Sequence, residues 1–148
     1  MKNLIEVTAT HPRLMKIWYD LGNLCNYKCW YCFPGANEGT IPFPDPDIIK
    51  VNIVALVNYY IDTGVVDEVE LHLLGGEPTL WKHLGDVVQY INENSKCHVE
   101  VTTNGSRTLR WWREYGHYFR NVSISVHHER VDPDHIIKVA EILYDKNV

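Results

Sequence analysis

The chain of 148 residues contains no apolar run that approaches the roughly 20 residues needed to span a membrane. It also lacks a run of lysine and arginine. With a formal net charge of -5, this absence argues against nucleic acid as the main partner, because no basic run supplies phosphate contacts. No internal repeat or low-complexity tract divides the sequence. The length therefore predicts one domain over residues 1–148, without a membrane span.

Cysteine is scarce, but its distribution is uneven. Three of the four cysteines, Cys25, Cys29 and Cys32, follow one another as C-x3-C-x2-C, and Cys97 lies far from them. A structural zinc site usually needs a second cysteine pair, and a ferredoxin-type cluster uses a fourth cysteine nearby, so both are disfavoured. Three thiolates on one centre leave a position open for a small molecule. The best chemical interpretation is a cluster with one open iron, and Cys97 is expected to be a buried hydrophobic residue.

Strand and helix patterns alternate along the chain. The pattern predicts four strands, at residues 16–21, 69–74, 98–103 and 121–126. It predicts four helices: one from Asp45-Pro46 to about Gly64, one with apolar positions from Leu80 to Ile91, one over residues 108–118, and one after Asp132-Pro133. This alternation is typical of βαβ units and a parallel sheet.

The predicted strands differ from strands that are buried on both faces, which are apolar throughout. Polar residues alternate with apolar ones on three of them: Glu70, His72, His98, Glu100, Thr102, Ser123 and Ser125. Successive side chains point to opposite faces, so each strand has one apolar and one polar face. We expect helices over the apolar faces and polar side chains inside a curved, partly open barrel. A sheet with one solvated face is the simpler alternative.

Two further motifs follow the cysteines. Gly75-Gly76-Glu77-Pro78 comes directly after the second predicted strand, and Thr102-Thr103-Asn104-Gly105 closes the third. Together with C-x3-C-x-aromatic-C, in which Tyr31 is the aromatic residue, this order resembles the radical S-adenosylmethionine (radical SAM) superfamily from Trp18 to about Val126. The resemblance implies an α/β fold, a partial (βα) barrel with about four parallel βα units of a (βα)6 core.

The resemblance also implies a function. Cys25, Cys29 and Cys32 would bind three irons of a [4Fe-4S] cluster, and S-adenosylmethionine would chelate the fourth. Reductive cleavage of S-adenosylmethionine would give a 5′-deoxyadenosyl radical that takes hydrogen from an unknown substrate, a small molecule or a peptide. The chain would then be a radical SAM enzyme that needs a reductant such as flavodoxin or ferredoxin. Reduced thiols and an oxygen-sensitive cluster suit the cytoplasm.

The residues that the resemblance assigns to the S-adenosylmethionine site are Tyr31, Gly75, Gly76, Glu77, Pro78, Asn104, Ser125 and His127. Tyr31 would border the adenine, or would simply pack beneath the cysteines. Glu77 would help to bind the methionyl amino group, and glycines let backbone approach a ligand closely. Ser125 would touch the ribose or the carboxylate. His127 stands where the family commonly has aspartate, so it either faces substrate or is a surface histidine.

The predicted pattern stops after the fourth helix, whereas the family core has six units. We therefore expect a C-terminally incomplete core domain: a fragment, a natural short form, or one half of a split enzyme whose partner chain completes the barrel. The fourth parallel strand would then present an unpaired edge, which favours pairing with another chain. The alternative function is an iron-sulfur or metal-binding module without turnover, because part of the cofactor pocket would be missing.

Overall fold

A five-stranded sheet organises the protein. The structure is a computed structural model that describes residues 6–11, as backbone, and residues 13–148. The strands lie side by side in chain order: β1 (Glu6–His11), β2 (Leu14–Asp20), β3 (Glu68–Leu74), β4 (Cys97–Thr103) and β5 (Asn121–Ile124). β1 runs antiparallel to β2, and the other three pairings are parallel. The predicted set of four parallel strands is confirmed, and β1 is an addition that the sequence pattern did not predict.

Helices connect the parallel strands. They are α1 (Pro46–Asp62), α2 (Leu84–Asn94), α3 (Leu109–Tyr115) and α4 (Pro133–Tyr144). Both Asp-Pro signals begin a helix as predicted. The Asp45 side chain accepts hydrogen bonds from two backbone N–H groups of the first turn of α1, and Asp132 accepts one at the start of α4. These caps satisfy donors that have no partner within the helix. Within the part of the chain that the structure describes, none of the helices has the length and apolar character of a membrane span.

The apolar face of the sheet forms the core beneath the helices. Its strand residues are almost completely buried: Val69, Leu71, Leu73, Val99 and Val101. The helices contribute buried residues to the same cluster, among them Val57 from α1, Ile91 from α2, Trp112 from α3 and Val139 from α4. Cys97 belongs to this core, as predicted, with 3% of its surface exposed.

The opposite face of the sheet carries the polar residues, as the alternation predicts. Register partners in parallel strands share a face, and His72 is the partner of Glu100 while Thr102 is the partner of Ser123. His72 lies between two of these side chains, with Nε2 2.7 Å from Thr102 Oγ1 and Nδ1 3.3 Å from Glu100 Oε2. Polar side chains from neighbouring strands thus contact one another across this surface.

Several boundaries differ from prediction for local reasons. The helix expected from Leu80 begins at Leu84, because Pro78–Leu80 form a separate 3-10 turn. α3 ends at Tyr115, and Gly116–Tyr118 continue as a second 3-10 turn. β5 ends two residues earlier than expected, at Ile124, and within the described residues its pairing partner is β4 alone. Among residues 6–11 and 13–148, the outer edge of β5 has no neighbouring strand.

Candidate functional site

A pocket of about 190 Å3 lies at the carboxyl ends of the parallel strands. This is the edge of an α/β sheet where ligands usually bind. The residues that line it come from the segment after β2, the turn after β3, the end of β4 and the segment after β5: Cys25, Tyr27, Cys29, Cys32, Asn37, Gly75, Gly76, Glu77, Thr102, Thr103, Asn104, Ser125 and His127. All the predicted site residues are among them except Tyr31 and Pro78.

The three cysteines lie on residues 21–45, the cysteine loop, which connects β2 to α1. Asn23 closes this loop upon itself. Its Nδ2 donates to Gly35 O at 2.7 Å and to Thr40 Oγ1 at 2.9 Å, and its Oδ1 accepts from Ile41 N at 2.7 Å. Asn23 is 6% exposed, so these bonds do not compete with bulk water. The sequence analysis missed Asn23, because an asparagine in a loop carries no periodic signal.

Asn104 connects the cysteine loop to the end of β4. Its Nδ2 donates to Asn26 Oδ1 at 2.9 Å, and its Oδ1 accepts from Ser106 N at 2.9 Å. Asn26 Nδ2 in turn donates to Ser106 Oγ at 2.9 Å. Asn104 Nδ2 also lies 4.0 Å from Cys25 Sγ. The side chain of Asn104 therefore holds the first cysteine against the end of the sheet.

The paired glycines allow the turn after β3 to lie directly against the cysteine loop. Gly75 has a φ of +135°, and a Cβ on it would lie 2.4 Å from Gly22 O. A Cβ on Gly76 would lie 2.4 Å from Leu24 O. Two backbone bonds join the segments, Gly76 N to Gly22 O and Glu77 N to Leu24 O, both at 2.8 Å. The two chain segments can therefore make this contact only with glycine at both positions, whether or not a ligand is bound.

Glu77 is buried beneath the pocket, with 1% of its surface exposed. Its Oε1 accepts from Thr79 N at 3.0 Å and from the hydroxyls of Thr79 and Thr103 at 2.6 Å. Its Oε2 accepts from Asn104 N at 2.6 Å. The following Pro78 is buried at the start of the 3-10 turn. The predicted contact between Glu77 and a cofactor stays a prediction, and the structure shows that four protein donors bind its carboxylate.

The thiols form a donor set that fits an iron-sulfur cluster. Cys25, Cys29 and Cys32 are free of disulfides, and Cys29 is buried. Burial raises the pKa of Cys25, and the nearby Glu77 carboxylate raises it further. A bound iron cation would favour the thiolate form of Cys25, which this environment disfavours.

A single metal ion needs its ligands to converge on one point. Among the described residues, no three His, Cys, Asp or Glu side chains are arranged around one ion. A cubane binds each cysteine through a different iron, so its ligands surround a volume and do not converge on a point. Three free cysteine thiols on one loop are the donor set that a cubane cluster uses.

His127 and Tyr31 lie beside Cys29. His127 Nδ1 is 3.1 Å from the Tyr31 hydroxyl and 3.6 Å from Cys29 Sγ. A hydrogen bond with Cys29 is the main cause that raises the pKa of Tyr31 to about 12. Ser125 lies on the pocket wall, where its backbone N–H donates to Thr103 O at 2.8 Å. His127 lines the pocket and is half-buried. Its contact with substrate stays a prediction.

Comparison with known proteins agrees with this arrangement. The family model of the radical SAM superfamily matches residues 19–146. GTP 3',8-cyclase from Edwardsiella ictaluri is 34% identical over 110 residues, which cover 69% of this chain and 31% of that protein. The enzyme of the same name from Yersinia pestis is 27% identical over 128 residues, which cover 82% of this chain and 37% of that protein. The chain spans about a third of the length of these curated relatives.

Solved structures show the same fold. Native anSMEcpe with bound AdoMet and Cp18Cys peptide superposes with a TM-score of 0.61 at 21% identity, covering 93% of this chain and 41% of that one. The same protein with bound AdoMet alone gives a TM-score of 0.57 at 19% identity. The predicted partial (βα) barrel is confirmed. The chain belongs to the radical SAM superfamily, whose enzymes use a [4Fe-4S] cluster and S-adenosylmethionine.

Proposed function

We propose that this chain binds a [4Fe-4S] cluster through Cys25, Cys29 and Cys32 and cleaves S-adenosylmethionine in the adjoining pocket. The observation that supports this most directly is the meeting of the cysteine loop with the Gly75-Gly76 turn at the carboxyl ends of the parallel strands. When bound, the cluster supplies the electron that splits S-adenosylmethionine into methionine and a 5′-deoxyadenosyl radical. That radical would be the species that takes hydrogen from a substrate.

The turn after β3 offers acceptors for the amino group of the cofactor. Among the described residues, no backbone or side-chain donor binds the carbonyl oxygens of Gly75 and Gly76. Both glycines line the pocket, so these oxygens are suited to an ammonium group. The buried Glu77 fixes this turn against β4 through Thr103 and Asn104. We propose that Glu77 supports cofactor binding chiefly by holding that geometry.

The polar face of the sheet lies below the pocket, and we propose that substrate binds there. It carries His72, Glu100 and Thr102 in mutual contact, and Lys16 Nζ lies 2.6 Å from Glu70 Oε2. The name of the relatives makes GTP the first substrate to assay. Because Lys16 is already paired with Glu70, the phosphates of a triphosphate would need to bind cationic side chains elsewhere.

Two partners belong to the proposal. A reductant such as flavodoxin or ferredoxin would deliver the electron to the cluster. A strand from a partner chain would pair with β5, whose outer edge has no neighbour among the described residues. An unpaired strand edge presents backbone donors and acceptors that another strand can satisfy.

Anaerobic iron-sulfur reconstitution tests the proposal. After reduction with dithionite, the chain is incubated with S-adenosylmethionine and assayed for 5′-deoxyadenosine by mass spectrometry. Replacing Cys25, Cys29 or Cys32 with alanine should abolish the brown chromophore, whereas the matched variant Cys97→Ala should keep it. Loss of the chromophore in Cys97→Ala as well would contradict the assignment. A complete cluster without 5′-deoxyadenosine would favour the binding module without turnover.

A further inference from the structure

The segment after β5 returns over the cysteine loop at His127. Nδ1 of this histidine lies 3.6 Å from Cys29 Sγ, a hydrogen-bonding distance for the large sulfur atom. The same nitrogen lies 3.1 Å from the Tyr31 hydroxyl. Cys29 is 6% exposed, so water does not readily replace the histidine at the sulfur. The two residues are 98 positions apart in the chain, and the fold alone brings them together.

The imidazole is held in place from several sides. It stacks on Tyr31 with ring centroids 6.0 Å apart and an interplanar angle of 15°, and it meets the edge of Tyr27 at 5.8 Å. The same segment is joined to the cysteine loop by Trp30 Nε1, which donates to Glu129 Oε1 at 2.6 Å. A side chain held this way keeps Nδ1 directed at the sulfur and at the neighbouring hydroxyl.

We infer that Nδ1–H of His127 donates a hydrogen bond to the Cys29 sulfur and thereby raises the reduction potential of the cluster that this sulfur ligates. A donor at a ligand sulfur stabilises the reduced cluster more than the oxidised one, because the reduced cluster is more negative. The inference rests on the proposed function, since it requires Cys29 to be a cluster ligand. His127 acts through Cys29, so it is a positioning residue and not a catalytic one.

Three variants separate this role from general packing. His127→Leu removes the N–H group with a side chain of similar size. His127→Asn restores an N–H group close to the place of Nδ1. His128→Leu is the matched control, because His128 also stacks on Tyr31, at 6.3 Å, but its described contacts do not include a cysteine sulfur. Each protein is reconstituted anaerobically, its iron and sulfide are counted, and its midpoint potential is measured by spectroscopic redox titration without S-adenosylmethionine.

We expect the midpoint potential of His127→Leu to be more negative than that of wild type, with iron content unchanged. His127→Asn and His128→Leu should titrate like wild type. A wild-type potential in fully loaded His127→Leu would overturn the inference and leave the proposed function intact. An equal shift in His128→Leu would overturn it too, because the effect would then not require the sulfur contact.

The iron content of the variants shows whether the inference alone fails or the proposed function fails with it. Loss of the cluster in His127→Leu overturns the inference, because the histidine would then be needed for assembly and not for the potential. Full iron in Cys29→Ala, or no cluster in wild type, would instead refute the proposed function and the inference with it.

Discussion

The variant Glu77→Ala tests how much Glu77, a residue of the pocket wall, contributes to the free energy of unfolding. The carboxylate accepts four hydrogen bonds in an environment where 1% of the residue is exposed. Two of the donors are the backbone N–H groups of Thr79 and Asn104, which cannot turn to another acceptor. The hydroxyls of Thr79 and Thr103 can rotate, so their loss should matter less.

The magnitude follows from the two backbone donors. A buried N–H group left without an acceptor costs about 1–3 kcal/mol, so the pair costs about 2–6 kcal/mol. We expect Glu77→Ala to lower the free energy of unfolding by about 3–5 kcal/mol, a large part of the roughly 5–15 kcal/mol typical of a domain. Glu77→Gln keeps one acceptor oxygen and places an NH2 group against a donor, so we expect a loss of about 1–3 kcal/mol.

Urea unfolding under anaerobic, reducing conditions provides the measurement. Fluorescence of the buried Trp81 and Trp112 follows the transition, and the midpoint with the slope gives the free energy. The exposed Glu141→Ala on α4 is the matched control and should lie within about 0.5 kcal/mol of wild type. If Glu77→Ala unfolds at the wild-type midpoint but loses affinity for S-adenosylmethionine, the carboxylate serves the ligand alone and the reasoning is refuted.

Three other substitutions or modifications test separate parts of the structure. Burial raises the pKa of Cys97 from 9.0 to about 12, so at pH 8 its thiolate is on the order of a thousandfold rarer than that of an exposed cysteine. Iodoacetamide should therefore spare Cys97 in the folded protein and alkylate it in urea. Equal alkylation rates by mass spectrometry would contradict the burial of Cys97. Asn23→Ala removes three hydrogen bonds within the cysteine loop, and we expect lower iron content after reconstitution and a stability loss of about 1–3 kcal/mol; unchanged values of both would show that other contacts close the loop. Gly76→Ala would place a methyl group 2.4 Å from Leu24 O, so we expect weaker iron loading and a lower melting temperature, and a variant that matches wild type in both would show that the turn has room.

The parallel part of the fold was predictable because burial on one face imposes a periodic pattern. Val69, Leu71 and Leu73 alternate with polar residues, and that alternation identifies both the strand and its buried face. β1 was not predicted, because a six-residue strand depends on its antiparallel register with β2, which the local sequence does not encode. Leu80 was predicted as the first apolar position of the second helix but ends the 3-10 turn Pro78–Leu80, since one apolar residue fits either period.

The motifs predicted which residues surround the pocket but not which atoms they contact. The contact between Glu77 and a cofactor stays a prediction. The motif did not indicate that the Glu77 oxygens also accept hydrogen bonds from Thr103 and Asn104 at the end of β4. The partners of Asn23 lie 12 to 18 positions along the loop, so no periodic pattern marks them. The contact of His127 with Cys29 depends on the path of the segment after β5, which is visible only in the folded chain.

Because Cys29 and His127 are 98 positions apart in the chain, the ribosome makes them at different times. A ribosome adds about 5–20 residues per second, so the cysteines are made about 5–20 s before the last residue that covers them. Until β4 and β5 have been made, the neighbouring thiols lack those parts of the pocket wall and can react with an oxidant to form wrong disulfides. Reducing conditions during synthesis would protect these thiols. The time for which protection matters depends on the separation of these segments along the chain.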